Sequence, residues 1–171
     1  MSEAFFNPDE VFEIAELIER NGNRFYLEAA KGQPIPANQK MLEFLAKMEE
    51  RHEQTFREMR KTLTGGFDVN SNGYDPDNLA ESYLKAMIDG VVFDFRSDPS
   101  RKLHEGIPFA EVLKIAIGLE KDSIVFYLGI KAKMTTDADK EKIEHIIKEE
   151  MKHVSILSEQ LKLQSAQEAA L

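Results

Sequence analysis

The chain has 171 residues, 42% hydrophobic and 31% charged, with a formal net charge of −9. That length and composition favour one domain with a sizeable core, and an acidic balance with both signs interspersed argues against nucleic acid or anionic lipid as the main partner. The chain has no cysteine, which removes disulfides, thiol peroxidases, cysteine-ligated iron–sulfur clusters and rubredoxin-type iron.

In chain order, the first long helix is predicted from about Pro8 to Lys31, with Asn7 placed to cap it and Asp9 and Glu10 complementing its dipole. Val11, Phe12, Ile14, Ala15, Ile18, Phe25 and Tyr26 recur at helical spacing, and Gly32 to Pro36 interrupt the pattern. A second helix is expected from about Ala37 to Leu63, with Leu42, Leu45, Met48, Phe56 and Met59 along one side and Gly65-Gly66 as its stop. Residues 65–107 read as a crossover. It opens turn-rich, forms a short helix near Leu79 to Ile88, and continues into Val91, Val92, Phe93 and Phe95, which should pack on the bundle or on a second subunit. A third long helix is predicted from about Pro108 to Lys133. A fourth runs from a cap at Thr136 to about Leu163 and leaves the short tail Gln164 to Leu171. Short connections make antiparallel hairpins of residues 8–63 and 108–163, so residues 1–171 are expected to form a single all-α domain, a four-helix bundle.

A sparse pattern occurs twice, 101 residues apart: Glu19, Glu49 and His52 return as Glu120, Glu150 and His153. The surrounding stretches align without gaps, as in Phe25-Tyr26-Leu27 with Phe126-Tyr127-Leu128. A glutamate from each of two helices, with a Glu-x-x-His pair from each of two others, is the set with which a four-helix bundle holds two metal ions. Within each pair the side chains lie one turn apart on one face. Glu19 and Glu120 fall on inward stripes with Phe12, Ala15 and Tyr26, and with Leu113, Ala116 and Tyr127. Four carboxylates buried together would be prohibitive without cations. Two divalent ions balance them, and oxygen-rich ligation with one imidazole per ion suits iron or manganese better than structural zinc. Glu49 and Glu150 are the expected bridging ligands, Glu19 and Glu120 the terminal ones.

Tyr26 and Tyr127 each follow a candidate ligand by seven residues, two turns along the same face. One reading is a phenol that hydrogen-bonds a ligand carboxylate or carries an electron. The other is a core tyrosine whose hydroxyl finds any partner. Glu149 is read first as a solvated acid and second as a group that orients a histidine across the bundle. His145 is expected to pair with Glu141, His104 to be a loop residue, and Met41, Met48 and Met59 to pack.

The stretches Ile14-Ala15-Glu16-Leu17-Ile18-Glu19-Arg20-Asn21-Gly22-Asn23-Arg24-Phe25-Tyr26 and Met48-Glu49-Glu50-Arg51-His52 resemble the ferritin-like superfamily, nearest its rubrerythrin-type members. The resemblance covers both hairpins. It implies a ferritin-like bundle and a di-iron centre that activates dioxygen or hydrogen peroxide, with Glu19, Glu49, His52, Glu120, Glu150 and His153 as ligands. The chain departs from rubrerythrins in lacking the cysteine-ligated rubredoxin domain. It also has Ser123 where they carry a further glutamate, which leaves a symmetrical set like that of bacterioferritin.

The expected function is therefore a non-haem di-iron redox protein that reduces peroxide or dioxygen with electrons from an external donor. The alternative is a ferroxidase that oxidises Fe2+ for storage or delivery, and a third reading is a structural bundle with a vestigial site. No apolar run approaches the ~20 residues that span a bilayer, and the first residues lack a secretory pattern. The expectation is a cytoplasmic homodimer or larger homo-oligomer with no membrane or nucleic-acid partner.

Overall fold

Proline opens two of the long helices, where its fixed φ suits the first turn and its missing N–H leaves no bond unmade. Helix α1 spans Pro8–Lys31, with Asp9 and Glu10 in its first turn and Lys31 in its last. Helix α2 spans Pro36–Thr62 and ends on Arg60 and Lys61. Each helix thus carries at least one charge that opposes its dipole. The computed structural model describes residues 8–62, 79–90 and 94–169. Asn7 as a cap, Gly65-Gly66 as a stop, the turn-rich stretch and Val91 to Phe93 lie outside the described residues.

Helix α3 covers Leu79–Ile88, and a 3₁₀ turn follows at Pro99–Lys102. Helix α4 runs Phe109–Lys133, directly after Pro108. Helix α5 runs Asp137–Ala169, and Thr136 Oγ1 accepts the Asp139 N–H at 3.1 Å at its start. The expected end near Leu163 is too early. Residues 164–169 contain neither glycine nor proline, so nothing stops the helix.

Helix α1 packs along α2 and α4 along α5, while α3 lies on α4 and the 3₁₀ turn on α1. The four long helices form a bundle of two hairpins, and no strand occurs among the described residues. None of the described helices is long and apolar enough to cross a membrane.

The core has two apolar layers. One gathers Phe12, Ile14, Phe56, Phe126, Ile143 and Ile147 with Leu84, Met87 and Phe95 of the crossover. The other gathers Phe25, Leu42, Leu45, Val112, Leu113 and Leu157. Burial of each such side chain contributes about 1.5–3 kcal/mol. Along every long helix the chain passes from one layer to the other: residue 18 to 25 in α1, 46 to 56 in α2, 116 to 126 in α4, 147 to 157 in α5. Leu84, Met87 and Phe95 of the crossover therefore pack on the bundle itself.

Candidate metal centre

The gap between the two layers is filled by charge. Glu19 lies in it on α1, Glu49 and His52 on α2, Glu120 on α4, and Glu150 and His153 on α5; none is more than 4% exposed. All six sequence-predicted residues meet there. They form two overlapping quartets, Glu19–Glu49–His52–Glu150 and Glu49–Glu120–Glu150–His153, and within each the ligand atoms lie within 4.8 Å of one another. Glu49 and Glu150 belong to both quartets, Glu19 and Glu120 to one each.

The donor atoms are short of partners. Glu19 Oε2, Glu49 Oε1, both Glu150 oxygens and the Nδ1 atoms of His52 and His153 are buried without a hydrogen bond. The two Nδ1 atoms come to 2.8 Å from Glu150 Oε1 and Oε2 without hydrogen-bond geometry. Buried polar groups are normally satisfied, so a cluster of orphans in this arrangement fits a pair of divalent ions.

Without cations, the cluster holds protons instead. Burial, reinforced by Glu19 and Glu120, pushes the Glu150 carboxyl up to about 8. Burial and the charges of Glu150, Glu120 and Glu19 raise Glu49 well above the usual carboxylate range. For His52, burial favours the neutral ring, but Glu150 and Glu19 outweigh it and push the imidazole up to about 12. His153 shifts upward for the same reason, through Glu120, Glu150 and Glu49. Glu120 moves the other way: its burial is outweighed by His153, Glu150 and Tyr26, and its carboxyl is held low.

The two tyrosines work across the bundle. Tyr26 on the first hairpin donates to Glu120 Oε1 on the second, and Tyr127 donates to Glu19 Oε1. Each hydroxyl therefore serves the opposite hairpin's glutamate, not the one seven residues before it. Burial, then the neighbouring glutamates, raises both phenols well above their ordinary value, so they stay protonated donors.

Glu149 is not a freely solvated acid. Its Oε2 lies 3.0 Å from His52 Nε2 across the bundle and 3.6 Å from His145 Nε2. His145 is exposed and meets Glu149 in place of the expected Glu141. His104 is an exposed loop residue whose Nδ1 faces the Glu105 carbonyl at 3.1 Å. Met59 is buried, while Met41 and Met48 are partly buried.

A cavity of about 340 Å³ lies between α1 and α4 beside the cluster, lined among others by Gly22, Tyr26, Glu49, Glu120 and Ser123. The segment from Asp94 to Lys102 roofs it. That roof is tied to α1: Asn21 Nδ2 donates to the Phe95 carbonyl at 2.9 Å, and Arg24 pairs with Asp98 at 2.9 Å. Asn21 and Gly22 fall in the stretch that carries the family resemblance, but no spacing marks them for these roles.

No protein-family model matches the chain, and no curated protein sequence matches it. A solved structure does: a candidate ferritin-like diiron-carboxylate protein from Thermotoga maritima, determined at 2.30 Å resolution. It superposes with a TM-score of 0.67 over 94% of this chain and 98% of its own, at 25% sequence identity. The chain thus has a ferritin-like all-α fold, with a buried carboxylate and histidine cluster that could hold two metal ions.

Proposed function

We propose that the chain is a non-haem di-iron redox protein that reduces hydrogen peroxide or dioxygen in the bundle core, rubrerythrin-like in drawing electrons from an external donor. One observation carries this reading: four carboxylates and two imidazoles, all buried, converge in two quartets that share Glu49 and Glu150. The diiron-carboxylate description of the similar Thermotoga maritima protein supports iron as the metal. Manganese is the other ion that oxygen-rich ligation suits.

An iron pair held there would supply two one-electron equivalents at one place, so that a two-electron oxidant could be reduced without release of a radical. The protein's part is positioning and exclusion. Glu49 and Glu150, common to both quartets, would be the shared ligands, and Glu19, His52, Glu120 and His153 would complete one quartet each. Tyr127 and Tyr26 hold Glu19 and Glu120 in place through their hydroxyls. The apolar layers above and below keep bulk water from the helix axis, so electrostatic attraction inside the band is weakly screened.

Ferroxidase action in iron storage or delivery is the second reading, and Ser123 favours it. Where a rubrerythrin-type chain would present another carboxylate, this hydroxyl donates to the Leu119 carbonyl at 3.0 Å and lines the cavity. The test is anaerobic Fe2+ titration, then separate addition of peroxide and of dioxygen, with spectra and rates recorded. Repeated turnover with an added reductant is expected. Iron consumption beyond two ions per chain, with a large assembly by light scattering, would replace it with the second reading. A chain that takes up no iron would end both. Assembly as a homodimer or larger homo-oligomer belongs to the same proposal.

A further inference from the structure

The repeat makes the six ligands symmetric, but their surroundings are not. Glu149 and Met48 occupy equivalent places in the two halves, 101 residues apart. Glu149 reaches His52 Nε2 at 3.0 Å. Met48 offers His153 no such partner, and His153 Nε2 is buried without a hydrogen bond. A carboxylate on the far ring nitrogen fixes the tautomer, aims the other nitrogen's lone pair inward and raises its basicity. Only one of the two histidines has that support.

The cavity breaks the symmetry in the same sense. Of the six cluster residues it touches the shared Glu49 and one unshared ligand, Glu120, with Tyr26 beside them; Glu19, His52, Glu150, His153 and Tyr127 are not among its lining. Gly22 keeps that side open, because a Cβ there would sit 3.2 Å from Glu49 Oε2. Asp94, Asp98 and Asp122 also line it, with Lys102; Asp98 is paired with Arg24. At about 340 Å³ the space far exceeds the ~30 Å³ share of one water molecule, ample for a hydrated ion or a small oxidant.

We infer that the two metal positions are unequal: Glu19–Glu49–His52–Glu150, clamped by Glu149, retains its ion, and Glu49–Glu120–Glu150–His153 exchanges its ion and meets the incoming oxidant. The inference rests on the paired-metal reading above and assigns Glu149 as a positioning residue. It acts through His52 and touches no ion.

The test is anaerobic Co2+ titration followed by its visible absorption, with Mn2+ anomalous scattering from crystals given one equivalent. Two steps at least tenfold apart are expected, with the single Mn2+ on the His52 side. Glu149→Ala should weaken the tighter step by about 10–100-fold and leave the weaker one within about threefold. Glu149→Gln should recover part of the loss, and Met48→Glu should bring the weaker step toward the tighter. Two equal steps, a Glu149→Ala effect confined to the weaker step, or Mn2+ on the His153 side would overturn the inequality while leaving the paired site intact. Fewer than two Co2+ per wild-type chain would overturn the paired site and the inequality with it.

Discussion

The hydroxyl of Tyr26, on the first hairpin, donates to the carboxylate of Glu120 on the second. The reciprocal bond runs from Tyr127 to Glu19, so the hairpins are cross-tied at the level of the charged band. Tyr26→Phe keeps the ring's packing and removes only the donor. Glu120 then loses a bond that helps hold its carboxyl low. The expected cost to the metal-free protein is about 1–3 kcal/mol, the penalty for stranding a buried acceptor, with a similar loss for Tyr127→Phe. Urea unfolding under chelator measures it. Wild-type midpoints in both variants would reduce the tyrosines to packing.

The shared and unshared glutamates make different predictions. Because Glu49 and Glu150 stand in both quartets, Glu49→Ala or Glu150→Ala should abolish binding of the ion pair. Glu19→Ala or Glu120→Ala should leave one ion per chain. Each variant should stay helical, since the apolar layers on either side of the band are untouched. Metal content by elemental analysis, alongside circular dichroism, separates the cases. Both ions at full occupancy in Glu49→Ala would sink the bridging assignment.

Protons and cations compete for this site, which sets the sign of the pH dependence. Glu150 is pushed up to about 8 by burial, against about 4.3 in an unfolded chain. Its stabilising share is complete below the unfolded value and gone once pH has risen past the folded one. His52 is pushed up to about 12 by Glu150 and Glu19, against burial, so its share is complete below about 6.5 and declines as pH rises beyond. Both act in one direction, and the chelated protein should lose melting temperature steadily between about pH 5 and 8. Metal takes over the protons' role, and its uptake releases them. The gap in melting temperature between Mn2+-loaded and chelated protein should therefore widen over the same range. A chelated protein whose Tm is flat or rises from pH 5 to 8 would contradict this.

Much of the bundle and its charged band is legible in the residues. Helical apolar spacing, proline at helix starts and a six-residue repeat on inward stripes are local signals, and each depends on a period that a single strand of sequence carries. What escapes is contact between helices far apart in the chain. The tyrosines' choice of the opposite hairpin is such a contact; the grip of Glu149 on His52, 97 residues away, is legible only as the second of two readings of that acid. The roof is a third: Asn21 and Arg24 meet Phe95 and Asp98 through a crossover whose path no periodicity encodes. The positions where the repeat fails carry a partial signal. Gly22 faces Ser123 in the alignment, Met48 faces Glu149, and Glu28 faces Gly129; each mismatch marks a place where one half meets something the other does not.

Gly129 is the last of these, and α3 is what it meets. A Cβ at Gly129 would lie 2.7 Å from Leu84 Cδ2 and 3.0 Å from Tyr83 Cε1. Leu84 is fully buried, and the Tyr83 hydroxyl donates to the Val125 carbonyl at 2.7 Å, so neither ring nor isobutyl group can swing aside freely. Gly129→Ala gains about 0.5–1 kcal/mol of helix propensity, but overpacking of a filled contact costs about 1–3 kcal/mol. The clash should win, and its effect should be local. Amide exchange is expected to accelerate in α3, with ion binding unchanged because Glu120 lies in a different layer. Glu28→Ala is the control, since that exposed position on α1 pairs with Lys31 alone among the described residues and should be neutral to within about 0.5 kcal/mol. Unaltered α3 protection in Gly129→Ala would show that the crossover helix is held by something other than its fit against α4.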